Sequence, residues 1–249
     1  MIGFKLDKVI GILGGMGPEA TLDCFGKIIK NTPAKTDAEH LRVVMDSNPR
    51  IPDRIAAILG DGASPVPALV DGCRGLQKAG ADFIIIPCVT VHCFLPQIQA
   101  ESSLPILSII DAVAEAIQAD FAATNTVGLL GTVATVQSGL FQKRLTEDNI
   151  GTVVPDPAQQ AKIVAAIKDI KDTRPARTQS EITGDLIAAA HSLIDREPQG
   201  ADAIIAGCTE IPLALGQQDL PVPYFDSLTI LARAAIRFAG KIPIDYNGK

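Results

Sequence analysis

One motif occurs twice in the sequence, and each copy ends in a cysteine. The first copy, GADFIIIPC, occupies residues 80–88, and the second, GADAIIAGC, occupies residues 200–208. Each begins with a Gly-Ala-Asp turn, continues as the short apolar run of a buried strand and places its cysteine at the strand's carboxyl end. Because parallel strands hold their ligand site at this end, Cys88 and Cys208 are predicted to face one pocket.

Two further pairs of segments repeat in the same order. VIGILGG at 9–15 is echoed by VGLLGT at 127–132, and LPI at 104–106 is echoed by LPV at 220–222. Three pairs with similar offsets of about 116 to 120 residues indicate an internal duplication. We therefore predict an α/β fold of two pseudo-symmetric doubly wound parallel-sheet domains, with the active site in the cleft between them.

The predicted first domain comprises residues 1–111, with a C-terminal helix in 227–249 packing back onto it, and the second comprises residues 112–226. A helix is predicted from Pro18 to about Asn31, because proline and Glu19 suit the first turn. The other predicted strands cover residues 40–46, 104–109, 152–154 and 220–225. Two further helices are predicted over residues 65–79 and 228–239, and three more are predicted to start near Cys93, Ala158 and Thr178.

Composition and charge exclude several classes of function. The chain has 249 residues, a formal net charge of −6 and no basic run, which argues against nucleic acid or an anionic membrane as a partner. Ile2 to Leu13 is interrupted by charges and is not predicted to be a signal peptide, and no apolar run reaches about 18 residues. Five cysteines in no disulfide spacing predict a reducing, cytoplasmic location.

The first glycine loop permits three interpretations. Gly15-x-Gly17-x-x-Ala20 follows a strand, as in the dinucleotide-binding fingerprint, but Asp46 lies about 29 residues past Gly17 instead of about 20. The loop could instead offer its amides to a small carboxylate at the positive end of a helix, or its glycines could serve packing alone. We expect the small anionic ligand and no nucleotide cofactor.

No metal is predicted at the first cysteine motif. Cys88, His92 and Cys93 lack a second cluster to complete a site, and a helix starting here would splay their side chains. Cys24 and Cys73 lie in predicted helices and are expected to be core or bystander thiols. The structural alternative for Cys88 and Cys208 is simple packing at the strand ends.

Paired thiols without a metal favour proton transfer at carbon. One thiolate can remove a proton while a thiol on the opposite face delivers one, which inverts a stereocentre without a cofactor. The developing enolate needs preorganised donors, and Thr90, Thr209, the Gly14–Gly17 amides and nearby arginines are available. A dithiol oxidoreductase is disfavoured because Cys-x-x-Cys is absent.

The sequence resembles the aspartate/glutamate racemase family over nearly its full length. The resemblance rests on VIGILGGMGPEAT, TPAKTDAEH, NPRIPDR, GADFIIIPC-x-T-x-H and GADAIIAGCTEIP, which occur in family order. It implies a pseudo-symmetric two-domain fold, a homodimer, no cofactor, and Cys88 and Cys208 as the two acid/base residues.

The same resemblance implies roles for further residues. Arg54 would bind a substrate carboxylate, since a guanidinium matches a carboxylate bidentately, and Lys171 would bind a side-chain carboxylate. The remaining residues implied to contact substrate are Met16, Thr90, Thr132, Thr209 and Glu210, and those implied to support the site are Gly15, Gly17, Val89 and His92.

One position departs from the family pattern. Where the family usually has asparagine, this chain has Val89, whose side chain can neither donate nor accept a hydrogen bond. The substrate could differ, the pocket could compensate, or activity could be reduced.

The sequence thus predicts a racemase or epimerase of a small amino acid, with aspartate or glutamate favoured. The alternatives are a related thiol-dependent isomerase, hydantoin racemase or decarboxylase acting on another small carboxylate, and a non-catalytic protein that binds a small acid.

Overall fold

The computed structural model describes residues 7–120 and 124–244. Three short segments lie outside the described part of the chain: residues 1–6, 121–123 and 245–249. The first and the last of these segments are the outer ends of the predicted first domain. Within the described residues, no helix is long and apolar enough to span a membrane.

The N-terminal half contains a four-stranded parallel sheet. Its strands are β1 (Ile10–Gly14), β2 (Val43–Ser47), β3 (Phe83–Ile85) and β4 (Ile106–Leu107), in the order β2-β1-β3-β4. In the register of the sheet, Ile10 of β1 lies between Val43 of β2 and Phe83 of β3. All five residues of β1 are buried, because helices cover both faces of a parallel sheet.

The C-terminal half repeats this arrangement. Its strands are β5 (Thr126–Leu130), β6 (Gly151–Val153), β7 (Ala203–Ala206) and β8 (Tyr224–Asp226), all parallel and in the order β6-β5-β7-β8. Strand for strand, this is the order of the first sheet. The predicted fold class, two pseudo-symmetric parallel α/β units, is confirmed.

Ten α-helices are found in the described residues, and most follow a strand. Helix α1 begins at Pro18, directly after the glycine loop, with Glu19 in its first turn, as predicted. The ten helices are α1 (Pro18–Asn31), α2 (Arg54–Leu59), α3 (Val66–Lys78), α4 (Leu95–Glu101), α5 (Ile109–Asp120), α6 (Val133–Ser138), α7 (Leu140–Thr146), α8 (Pro157–Lys171), α9 (Gln179–Ile194) and α10 (Ser227–Ala239).

A single apolar cluster joins the two halves. It includes Ile12 and Phe83 of the first sheet and Val127 and Ile205 of the second, together with residues of α5 and α10. Helix α10 packs against α1 and α5, so this helix returns to the side of the first sheet. The predicted boundary between residues 111 and 112 lies within α5, and the division into domains stays a prediction.

Strands β4 and β8 are shorter than predicted. The predicted strand 104–109 contracts to two residues because α5 already begins at Ile109 and Pro105 has no N–H to donate. On the outer edge of β4, Gln99 accepts a hydrogen bond from the Ile106 amide and donates one to the Leu104 carbonyl. The predicted strand 220–225 begins only at Tyr224, since Pro221 and Pro223 have no N–H to donate to a ladder.

Candidate active site

The two motif cysteines line one cavity. Cys88 lies three residues after the end of β3, and Cys208 lies two residues after the end of β7. Both strands end at the same edge of their sheets, and the cavity there is lined by residues of both halves. The thiols are 5% and 7% exposed, so each is largely shielded from bulk water.

The cavity is small. Its volume is about 30 Å³, which is enough for only a water or two. An amino acid would therefore need the walls of the cavity to move apart before it could bind.

Neutral groups contact Cys88 directly. Its Sγ lies 3.4 Å from the hydroxyl of Thr90. Behind it, the Nε2 atom of buried His92 accepts a hydrogen bond from the Ile109 amide at 3.0 Å. His92 Nδ1 therefore carries the ring proton and donates to the Cys88 carbonyl, also at 3.0 Å. Burial lowers the pKa of His92, so the ring is a neutral support that fixes the backbone of Cys88.

A carboxylate contacts Cys208. The thiol of Cys208 donates a hydrogen bond to Oε2 of Glu210 at 3.0 Å. Burial, followed by the negative charge of Glu210, raises the pKa of Cys208 well above its usual range, and the positive charge of Lys171 opposes this increase. Cys208 is therefore held as a thiol.

Glu210 itself is 2% exposed, and both of its oxygens have donors. Oε1 accepts from the Gly17 amide at 3.1 Å and lies 3.2 Å from the ammonium of Lys171, the last residue of α8. Burial alone would lower the pKa of Lys171, but the Glu210 carboxylate, aided by nearby Cys208 and Cys88, raises it. The Glu210–Lys171 ion pair therefore places one negative and one positive charge at the cavity.

Two hydrogen bonds between the halves close the site. Besides the Gly17–Glu210 bond, the Thr209 hydroxyl donates to the Pro87 carbonyl at 3.1 Å. The first bond links the glycine loop of the N-terminal half to the segment after Cys208, and the second links the two cysteine motifs, so the same groups that form the site also hold it shut.

Arg54 begins α2 at the rim of the cavity. Its Nη1 donates to the carbonyls of Ile51 and Pro52 at 3.2 and 3.1 Å, which fixes the guanidinium. Its Nε is buried and finds no acceptor within residues 7–120 and 124–244. The neighbouring Asp53 caps α2 by accepting from the Ala56 amide. A fixed guanidinium with an unused N–H beside a cavity is suited to binding a carboxylate.

The first glycine loop is occupied by protein groups. Gly15 has φ +94°, and a Cβ on it would approach the backbone of Asn48 to 2.3 Å, so only glycine fits. Its amide donates to the hydroxyl of Thr21 at 2.9 Å, and the Gly17 amide donates to Glu210. In this closed arrangement both amides are bonded within the protein, and the binding of a small carboxylate by the loop stays a prediction.

The second glycine loop positions two threonines. Thr132 caps α6 by accepting from the Thr135 amide at 3.1 Å, and the two hydroxyls lie 3.0 Å apart. Both line the cavity. Thr135 was not predicted, because a threonine three residues after a cap residue does not match the capping-box pattern and gives no signal of a pocket.

Most of the predicted site residues meet at this cavity. Its lining includes Met16, Arg54, Cys88, Val89, Thr90, Thr132, Lys171, Cys208, Thr209 and Glu210. Gly15, Gly17 and His92 lie behind the lining. The residues that sequence reasoning missed are Asp53, Ile55, Thr135 and Gly207. Across the described part of the chain, no group of three His, Cys, Asp or Glu side chains is arranged to hold a metal.

The other thiols lie elsewhere. Cys24 is fully buried and Cys73 nearly so, both in the apolar core, as expected. Burial raises the pKa of both, to about 11 for Cys73.

The fold and the paired thiols agree with the class of isomerase that the sequence predicted. A family model described as Asp/Glu/Hydantoin racemase matches residues 13–235, which is most of the chain. The chain belongs to this family, as predicted, and is a racemase.

Individual relatives support this assignment. The chain is 32% identical over 236 residues to the broad specificity amino-acid racemase RacX of Bacillus subtilis, covering 92% of this chain and 96% of the relative. The solved structure of Picrophilus torridus aspartate racemase is similar with a TM-score of 0.82 and 32% identity, covering 95% of this chain and 96% of that one. The solved structure of a glutamate racemase from Francisella tularensis shares the fold, with a TM-score of 0.61 and 16% identity. The match covers 94% of this chain and 81% of that one.

Proposed function

We propose that the protein racemises a free amino acid without a cofactor, by two-base proton transfer at the α-carbon between Cys88 and Cys208. The observation that carries the proposal is that both thiols, from equivalent strand ends of two equivalent sheets, line a single cavity. A planar carbanion between two such groups can lose a proton to one and receive a proton from the other on its opposite face.

The proposed step conserves protons. A thiolate takes the α-hydrogen, the C–H electron pair passes into the enolate of the carboxylate, and the opposite thiol donates its proton to the other face. Each turnover exchanges the protonation states of the two sulfurs. Arg54, with a buried and unused N–H, is the proposed partner of the α-carboxylate on which negative charge develops.

The proposed substrates are aspartate or glutamate. The lining of the cavity contains two cationic side chains, Arg54 and Lys171, which suit the two carboxylates of an acidic amino acid. The name of the Picrophilus torridus relative, an aspartate racemase, agrees with this choice.

A wider range of neutral amino acids is the second candidate. Lys171 is already paired with Glu210 at 3.2 Å, and Val89 presents an apolar side chain to the cavity. The name of the Bacillus subtilis relative, a broad specificity racemase, agrees with this candidate. The two candidates differ in whether a second substrate carboxylate is needed.

Exchange of solvent deuterium into the α-position tests the function. The protein is incubated in deuterated water with each enantiomer of a panel of acidic, neutral and basic amino acids, and with hydantoins as the alternative substrate class. We expect deuterium at Cα together with inversion, strongest for aspartate or glutamate. Binding without deuterium uptake would instead identify a non-catalytic protein, and uptake into hydantoins alone would identify a hydantoin racemase.

The assembly and location also belong to this proposal. The resemblance to the family supports a homodimer, and five free thiols support a reducing cytoplasm. Sedimentation at several protein concentrations would test the dimer.

A further inference from the structure

We infer that Glu210 is a positioning residue that keeps Cys208 protonated, so that Cys208 is the proton donor of the resting enzyme. The inference rests on the proposed two-thiol reaction and assigns its starting state. It also gives Glu210 a role other than the substrate contact that the family resemblance implied.

The geometry leaves Glu210 little freedom to act otherwise. Its Oε2 accepts the thiol hydrogen of Cys208 at 3.0 Å. Its Oε1 is held by the Gly17 amide at 3.1 Å and by the Lys171 ammonium at 3.2 Å. Since both oxygens are engaged and the side chain is buried, the carboxylate cannot turn away from the sulfur without breaking a bond to one of these donors.

The charges around Cys208 have opposite effects on its proton. Glu210, from the same loop, favours the neutral thiol, and Lys171, from the end of α8, favours the thiolate. The other ionisable groups that line the cavity are Cys88 from the first half and, at the start of α2, Arg54 and Asp53. Glu210 alone of these groups makes a hydrogen bond to the Cys208 sulfur, and burial acts in the same direction as its charge.

Within residues 7–120 and 124–244, no carboxylate makes a hydrogen bond to the sulfur of Cys88. The side chain that corresponds to Glu210, two residues after Cys88, is Thr90, a neutral hydroxyl 3.4 Å from the sulfur. In the first turnover from rest, Cys88 would therefore take the α-hydrogen and Cys208 would give its proton to the opposite face. The enantiomer whose α-hydrogen faces Cys88 would react first.

Alkylation of Cys208 as a function of pH tests the inference. The full-length protein is treated with iodoacetamide, which reacts with thiolates, and modification of the Cys208 peptide is measured by mass spectrometry. Removing the negative charge in Glu210→Gln lowers the pKa of Cys208, so we expect alkylation about tenfold faster near pH 8. Removing the positive charge in Lys171→Met has the opposite effect, and we expect alkylation about tenfold slower there.

Matched variants separate charge from damage to the fold. Glu147→Gln and Lys168→Met change exposed residues, the second on the same helix as Lys171, and should leave the alkylation profile unchanged. A loosened cavity would speed alkylation in both site variants, whereas the charge effect has opposite signs. If Glu210→Gln does not fold, Glu210→Asp replaces it: the shorter side chain draws the charge away from the Cys208 sulfur, and faster alkylation of Cys208 is again expected.

The inference is overturned if both site variants shift the profile in the same direction or if neither shifts it. Because alkylation requires no turnover, the result is independent of deuterium exchange. If the two variants shift the alkylation profile in opposite directions but the protein exchanges no deuterium, the role of Glu210 is supported and the proposed racemisation is not. If the protein exchanges deuterium but the alkylation profiles do not shift in opposite directions, the proposed racemisation is supported and the role of Glu210 is not.

Discussion

The two halves hold their cysteines at equivalent positions but in unlike surroundings. Cys88 lies beside the hydroxyl of Thr90 with neutral His92 behind its backbone, whereas Cys208 donates a hydrogen bond to the carboxylate of Glu210. The strand orders of the two sheets are identical. A duplicated backbone therefore places the two thiols alike, while the residue two positions later sets the charge next to each.

This asymmetry is useful for a two-base reaction. The proposed reaction needs one base and one acid in each turnover, and unlike surroundings determine which of the two thiols holds the proton at rest. In this protein the two halves share the positions of the cysteines but not the charges beside them. The sheet fixes where each strand ends, whereas the side chain two residues after each cysteine is free to differ.

Removing either thiol should have the largest effect. We expect Cys88→Ser and Cys208→Ser each to reduce racemisation by roughly 10²- to 10⁴-fold, the usual contribution of a general acid or base. Each variant should retain partial deuterium exchange from one enantiomer, and that enantiomer should differ between the two. Cys73→Ala, a core thiol, is the control and should retain activity. Full activity of Cys208→Ser in both directions would exclude the two-base mechanism.

Loss of the guanidinium should have the next largest effect. Arg54→Ala removes a charged hydrogen-bond donor from the cavity, and we expect KM to rise roughly 10- to 100-fold with a smaller change in kcat. Arg50→Ala, an exposed arginine in the same loop, is the matched control. Unchanged KM for every active amino acid in Arg54→Ala would remove this residue from the site.

The residues that directly follow the cysteines allow a mirrored pair of variants. Thr209→Val removes the bond to the Pro87 carbonyl, and we expect a loss of about 1 kcal/mol in the free energy of unfolding. Val89→Thr introduces a hydroxyl at the equivalent buried position and should cost about 1–3 kcal/mol if it finds no partner. Urea denaturation measures both. A neutral Val89→Thr would show that the first half can also accept a polar residue here.

The smallest expected effect is a pH dependence from His92. Because burial lowers its pKa, the folded protein binds this proton less readily than the unfolded chain. The associated stability is complete above the ordinary histidine pKa of about 6.5 and is lost as the pH falls below it. We expect the urea midpoint to decrease less steeply from pH 7 to about pH 5 in His92→Gln than in the unaltered protein. The exposed His40→Gln should behave like the unaltered protein, and equal slopes in all three would contradict this assignment.

Many parts of the site could be predicted because they follow local rules. The duplicated motif, a Gly-Ala-Asp turn followed by an apolar run and a cysteine, predicted strands β3 and β7. It also predicted that Cys88 and Cys208 line one cavity, since equivalent strands end at equivalent edges of their sheets. Helix α1 began at Pro18, as its first-turn residues predicted. The length of β4 was overestimated because helix α5 begins at Ile109, two residues after the strand ends.

The glycine loop shows where prediction from sequence stops. Its pattern correctly indicated a tight turn before a helix, and Gly15 is required there by its φ of +94°. The sequence could not show that the Gly17 amide binds Glu210, which lies in the other half of the chain. Contacts of this kind depend on how two folded halves meet.

The sequence by itself determined the duplicated α/β plan, the places of Cys88 and Cys208 and the family, because strand periodicity, turn chemistry and repeats are local properties of the chain. Only the tertiary structure decided which groups surround each thiol, how small the cavity is and which amides are already bonded. Those features depend on burial and on short distances between residues far apart in sequence, and both arise only when the halves pack together.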